Sequence, residues 1–447
     1  MFDLEENIIS WCDYLRSSGK LKEEDVLELK NHLREQIDDL KKQGLSDEEA
    51  FLISVKRLGN INTVSEEFSK INTENMWKQL LIEPADTSKK NKNRRDIWLA
   101  ILFAILAGTF AKIPTLFGLS MDSIVYMKNL SFYILPFAAL FFIIRHEVSQ
   151  KKIWYLTGIF LLTGVIINLY PSYSPHHTEI LTGIHLPLML WMVTGVAYMG
   201  KHWRTSKERM NFIRFTGESV IYGSLIGLGL FVLMGFTALI FESISIDIEP
   251  FIENYFIIFG MPAAVMITVY LVETKKSIVE NFAPILAKIF SPLFLISMVV
   301  FLIVMVINKK SPFVDRDFLI SFDLMLILVL GMVLYIISAR NIHDKINIFD
   351  YLNTALVFVA IIVDGVALSA IIFRLSEYGI SPNKLAALGE NLLLLINLAV
   401  LLWFYIKYFM NKIEFEQIEI WQTKYLTIYA VWVAVVVFVF PLIFGFI

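Results

Sequence analysis

One cysteine, Cys12, occurs in 447 residues. No disulfide can form within the chain, and no cysteine cluster can hold a metal. A lone thiol of this kind is expected to act as a small buried hydrophobe in a reducing compartment. Charge is scarce as well. Charged residues make up 18% of the chain and hydrophobic ones 56%, against roughly a quarter charged in soluble proteins. The net charge of −3 favours neither nucleic acid nor acidic ligands, so no nucleic-acid partner is expected and the placement of charge matters more than its sum. Catalytic motifs are missing. Neither His-Glu-x-x-His nor Gly-x-Ser-x-Gly occurs, which removes zinc-protease and nucleophile-elbow chemistry of those types. Gly195 to Lys201 spells the first part of a phosphate loop, but His202 stands where Ser or Thr is required, and the stretch closes an apolar segment instead of joining a strand to a helix. No catalytic residue, cofactor or metal-ligand set is therefore assigned. The acidic start Met1-Phe2-Asp3-Leu4-Glu5-Glu6 has no apolar core behind it, so no leader cleavage is predicted and the first membrane helix is expected to direct insertion.

The most informative positive feature is a break at Lys89, Lys90, Lys92, Arg94 and Arg95. Before it, apolar residues recur at helical spacing within a charged background. Leu4, Ile8, Ile9, Trp11, Cys12 and Leu15 recur over 4–17, and Val26, Leu29, Leu33, Ile37 and Leu40 form a stripe over about 22–43. Gly44 is placed to stop that second helix. Ser46-Asp47-Glu48-Glu49 fits a capping box and opens a third helix ending near Leu58, and Thr63-Val64-Ser65-Glu66 fits the same box and opens a fourth. The fold class predicted is all-α: a small soluble four-helix bundle over 1–72, an interfacial helix and basic hinge over 73–96, and a transmembrane bundle of about 11 helices over 97–447. The hinge residues either meet anionic lipid, with Trp77, Leu80, Leu81 and Ile82 lying against the headgroups, or act as a plain orienting signal.

The stretch Gly44-Leu45-Ser46-Asp47-Glu48-Glu49-Ala50, then Arg57-Leu58-Gly59-Asn60-Ile61, then Val64-Ser65-Glu66-Glu67-Phe68 resembles the HAAS, or permease-prefix, family of small helical domains. That family's usual Gly-Asp-Pro is Gly59-Asn60-Ile61 here. The resemblance implies a cytosolic signalling or interaction role, with a protein partner binding residues 1–72, and no enzyme chemistry.

Beyond the break, eleven segments approach the roughly twenty apolar residues that cross a hydrocarbon core of about 30 Å. They cover 97–117, 130–144, 153–169, 183–199, 215–241, 254–273, 287–307, 319–338, 351–373, 390–410 and 426–446. The second and third are short. The fifth is long enough to bend at Gly227, Gly229 or Gly235, and Gly223, Gly227 and Gly229 read as helix-packing glycines. With the N-terminus inside, the inner stretches hold 21 Lys and Arg and the outer ones six. That asymmetry predicts a plasma-membrane protein with its N-terminus in the cytosol and its C-terminus outside. Lys309, Lys310 and Arg316 make one outer loop more basic than this topology expects.

Arg374-Leu375-Ser376-Glu377-Tyr378-Gly379-Ile380-Ser381-Pro382-Asn383-Lys384, together with Arg214-Phe215-Thr216-Gly217-Glu218, resembles the DUF4153 family of bacterial membrane proteins over about 200–447. Ser381 and Lys384 replace that family's Thr and Arg. No settled activity comes with the resemblance.

Ionisable residues within membrane segments are costly and suggest function. Lys112 and Asp364 lie about 22 Å and 20 Å from the basic side at 1.5 Å per residue, and Asp323 falls at similar depth. One reading is an outward-opening polar pocket, with Lys112 paired to Asp323 or Asp364 and with Arg374, Glu377 and Glu390 at its mouth. The other is a structural ion pair, or a Lys112 that snorkels beside Pro114. His176, His177, Glu179 and His185 cluster at one segment end, but the six-residue gap from Glu179 to His185 separates them on a helix. Interfacial histidines without a metal are the expectation. Three function classes follow: a sensor or regulatory scaffold responding to a lipid, peptide or envelope signal; a transporter or permease subunit, for which no internal repeat is found; and an intramembrane enzyme, which would need Asp323 and Asp364 close together.

Overall fold

The computed structural model describes residues 4–5, 7–8, 11–12, 23–42, 45–58, 87–146, 148–243, 247–274, 276–307, 313, 316–342, 344 and 346–447. The described residues form helices and no strand. They divide into two compact units, Met1–Lys90 and Asn91–Ile447.

In the first unit, α1 (Glu23–Lys42) and α2 (Asp47–Leu58) follow the apolar stripes. Leu33, Ile37 and Leu40 of α1 meet Ala50 and Phe51 of α2, with Ile8 and Cys12 completing the core. Cys12 is buried, as a hydrophobe would be. The capping box forms: the Ser46 amide donates to Glu49 Oε2 at 3.1 Å and the Glu49 amide to Ser46 Oγ at 3.4 Å. The Ser46 hydroxyl and amide hold the Glu49 carboxyl below the usual carboxylate range. Arg34 donates to Glu5 at 2.5 Å and ties the first segment to α1. The expected fourth helix at Thr63–Glu66 and the interfacial stretch around Trp77 lie outside the described residues, as do the side chains of Lys89, Lys90 and Lys92. Arg94 and Arg95 are exposed.

The second unit carries eleven helices long and apolar enough to span a bilayer, among the described residues. This is a multi-pass membrane protein. The helices are α3 (Thr87–Leu116), α4 (Ile124–Arg145), α5 (Gln150–Leu169), α6 (His177–Met199), α7 (Ser206–Ser243), α8 (Ile258–Thr274, entered through a π-helical turn at Ile252–Ile257), α9 (Lys276–Ile307), α10 (Arg316–Ala339), α11 (Ile348–Tyr378), α12 (Pro382–Phe409) and α13 (Glu416–Phe438). Several spans begin earlier than expected, among them the fifth at Ser206 and the tenth at Pro382. The second span begins at Ile124 and the last at Glu416, where polar residues interrupt the apolar run yet are buried on one face: Lys128 and Ser131 in α4, and Glu419, Gln422 and Thr423 in α13. Hydropathy alone discounts such stretches.

Two apolar cores organise this unit. The first joins Phe103 and Ala107 of α3, Phe141 and Phe142 of α4, Tyr198 of α6, Phe215 of α7 and Val269 of α8. The Tyr198 and Phe215 rings stack at 4.7 Å, and the edge of Phe142 meets each of them. The second joins Met298 of α9, Phe322 and Val329 of α10, Val357, Ala360 and Val363 of α11, Leu398 of α12 and Ile418 of α13. Gly227 and Gly229 face open space, so they do not pack helices, and α7 runs unbroken past them to Ser243. The tight glycines are elsewhere. A Cβ on Gly389 would lie 1.9 Å from the Trp432 ring, which is too close without rearrangement. Gly389→Ala is therefore expected to cost about 1–3 kcal/mol through overpacking, read as a lowered midpoint of thermal unfolding in detergent. An unchanged midpoint would show that α12 and α13 separate freely there.

Charged and polar groups bind the helix ends on the face that carries the basic loops. Arg145 at the end of α4 bonds Asp96 of α3 and, at 3.0 Å, Glu273 of α8. Arg214 of α7 donates to the Ser338 carbonyl of α10 at 2.7 Å. Arg340 grips Asp350 of α11 through two bonds of 2.7 and 3.1 Å, and donates to the Tyr408 hydroxyl of α12 at 2.7 Å.

Candidate functional site

Two polar sites occupy the opposite half of the membrane unit, where α4, α6 and α12 begin. The first comes from the early start of α4. Ser123 caps the helix by accepting from the Tyr126 amide at 3.2 Å, and this places Lys128 inside the span instead of in a loop. Lys128 Nζ donates to Glu179 Oε1 of α6 at 2.7 Å, and both side chains are only 8% exposed. The ammonium also donates to the Ile167 carbonyl of α5 at 3.3 Å. Ser172 donates to the other Glu179 oxygen, and His176 Nδ1 lies 2.6 Å from the Ser172 hydroxyl.

From this ion pair a groove of about 560 Å³ runs between α4 and α6 toward Trp191 and Val265. Its walls are apolar, formed by side chains such as Ile134, Ile180, Ile184 and Leu188. The buried Ser131 hydroxyl, on the wall, has no hydrogen-bond partner among the described residues. The twelve helical steps from Glu179 to Trp191 cover about 18 Å at 1.5 Å per residue, which exceeds half of the roughly 30 Å hydrocarbon core.

The second site lies where α10, α11 and α12 meet. Asp364 of α11 is fully buried, and neither carboxylate oxygen has a hydrogen-bond partner among the described residues. It lies within electrostatic range of Asp323 of α10. Asn391 of α12 donates to Asp323 Oδ1 at 3.0 Å. Glu390, beside Asn391, approaches His185 Nε2 of α6 at 2.5 Å.

The structure thus brings Asp323, Asp364 and Glu390 into one neighbourhood and gives Lys112 other partners. Lys112 Nζ donates to the Asn254 carbonyl at 2.9 Å and sits 4.6 Å from the centre of the Tyr255 ring. No ion pair joins it to either aspartate. The reason is lateral position: α3 belongs to the first apolar core and the aspartates to the second. Arg374 and Glu377 lie in the last turns of α11, about 15 and 20 Å beyond Asp364 along the axis; Arg374 stacks over Tyr378 and Glu377 is exposed. Of the histidines of the 176–185 stretch, His176 meets Ser172 and lies 3.6 Å from Glu179, His177 meets Asn383 at 3.4 Å, and His185 meets Glu390. Sequence reasoning missed the Lys128–Glu179 pair and Asn391. An amide inside an apolar run is the one signal that could have drawn attention to Asn391. No protein-family model, curated protein or solved structure matches the chain.

Proposed function

We propose that this protein is a membrane sensor or regulatory scaffold in a bacterial plasma membrane. In this reading the groove between α4 and α6 takes a lipid acyl chain, and residues 1–72 engage a protein partner. The carrying observation is the groove itself, apolar along its walls with the buried Lys128–Glu179 pair at one end. It is matched to an amphiphile whose polar end stays near the ion pair while its chain lies along Ile184 and Leu188. The permease-prefix resemblance supports a partner-binding head, and the DUF4153 resemblance supports a bacterial membrane body. The basic count supports a cytosolic N-terminus and an outer C-terminus, so that the amphiphile would come from the outer leaflet.

Ile184→Trp tests the reading. Ile184 is 59% exposed in the groove, so a larger ring there fills the space without entering a core. The variant is expected to lose several-fold of the lipid that native mass spectrometry finds retained on the wild type, with no change in unfolding midpoint. Equal lipid retention by the two proteins would refute a groove-bound lipid. The second reading, a transporter, draws on a different observation, the buried acids of the second site.

A further inference from the structure

Asp364 is the most demanding group in the membrane unit. It is fully buried, and both of its oxygens lack a donor. Asn391 is 3% exposed; its amide nitrogen donates to Asp323 Oδ1 and to the Ala387 carbonyl, and its Oδ1 also lacks a donor. Three unsatisfied buried oxygens therefore lie in the neighbourhood of a second carboxylate. Buried polar atoms are nearly always satisfied, and an ionised carboxylate in a low-dielectric interior requires a compensating charge. Among the described residues no basic side chain lies within ion-pair distance of Asp364 or Asp323. From α12 the pair faces Asn391 and Glu390, and from α13 the Tyr429 hydroxyl, which accepts from Asn397 at 3.0 Å. Helix α9, packed on α11, carries no titratable side chain between Ile289 and Ile307.

The neighbouring His185–Glu390 contact carries a proton by its own geometry. His185 Nδ1 lies 2.8 Å from the Leu181 carbonyl, which can only accept, so Nδ1 bears a hydrogen. Nε2 then meets Glu390 Oε1 at 2.5 Å, and that contact holds together only with a proton between the two atoms. His185 and Glu390 both lie about 12 Å into their helices, counted from the ends His177 and Pro382.

We infer that Asp364, Asp323 and Asn391 form a binding site for one small hard cation, a proton or Na⁺, reached from the His177 end of the helices past His185 and Glu390. Either cation supplies what the buried oxygens lack: a proton converts one carboxylate to a hydrogen-bond donor, and Na⁺ takes carboxylate and amide oxygens as ligands. The inference stands apart from the lipid groove, which shares no residue with this site.

The test uses full-length protein in lipid nanodiscs. Infrared difference spectra across a pH titration are recorded with and without Na⁺, and binding of radioactive Na⁺ is measured in parallel. For a proton site, the wild type shows the carbonyl stretch of an un-ionised carboxylic acid at neutral pH, which Asp364→Asn abolishes. For a Na⁺ site, the wild type retains about one Na⁺ per chain and Asp364→Asn loses it. Asp323→Asn supplies the same assignment if Asp364→Asn does not fold. A wild-type protein that shows neither the acid band nor bound Na⁺ overturns the inference, and so does a band or bound ion that survives both aspartate substitutions.

Discussion

Replacing Arg340 with methionine is expected to remove about 3–5 kcal/mol of stability, the cost of leaving a buried charge without its partner. The guanidinium and the Asp350 carboxylate are 7% and 4% exposed. Arg340 also donates to the carbonyls of Asn341 and Asp344, each at 3.0 Å, and its charge lies 4.1 Å from the centre of the Phe415 ring. One side chain therefore holds the end of α10, the loop after it, the start of α11 and the end of α12. Arg340→Lys should recover only part of the loss, because an ammonium cannot make the paired bonds to both Asp350 oxygens. Asp350 has a second duty. Its carboxylate accepts from the Asn347 amide at 3.0 Å and completes the capping box of α11. The double variant Arg340→Met with Asp350→Leu should thus regain most of the stability but fall short of wild type by about 1 kcal/mol, the usual worth of a cap. SDS-induced unfolding of the purified variants measures all three. Wild-type stability in Arg340→Met would show that the network is solvated and contributes nothing.

Hydropathy made the eleven spans legible, since each contains a run of apolar residues that a soluble helix would not carry. It also carried the depth of Asp364 and of Lys112, because depth follows from counting along a helix. It could not reveal which helices are neighbours. Lys112 and Asp364 have similar depths, yet one lies beside Asn254 and the other near Asp323. The pairs that shape both sites join residues far apart in the chain, Lys128 with Glu179 and His185 with Glu390, and a single sequence carries no record of such partners. Helix starts were hidden for another reason. The opening stretches of α4 and α13 carry polar residues that packing buries, so Lys128 reads as a loop residue and Gln422 as lying ahead of the last span. The capping box at Ser46, in contrast, is a local pattern with a local cause, and it forms where its spacing places it.

Lys128→Met is expected to cost a further large amount, again about 3–5 kcal/mol, by removing the ammonium from buried Glu179 and leaving it Ser172 and, at 3.6 Å, His176. The more telling variant removes both charges. Lys128→Met with Glu179→Leu should return to wild-type stability or exceed it by about 1–4 kcal/mol, since well-packed apolar groups commonly replace a buried pair without loss. The same double variant should retain less lipid than the wild type. The groove walls remain, but the polar end that would hold a headgroup is gone, and an acyl chain there becomes equivalent to any other in the bilayer. Stability and lipid retention therefore move in opposite directions if the pair serves recognition. Stability alone moves if it serves packing: a double variant that remains as unstable as Lys128→Met, with its lipid complement unaltered, would make Lys128–Glu179 a structural strut between α4 and α6.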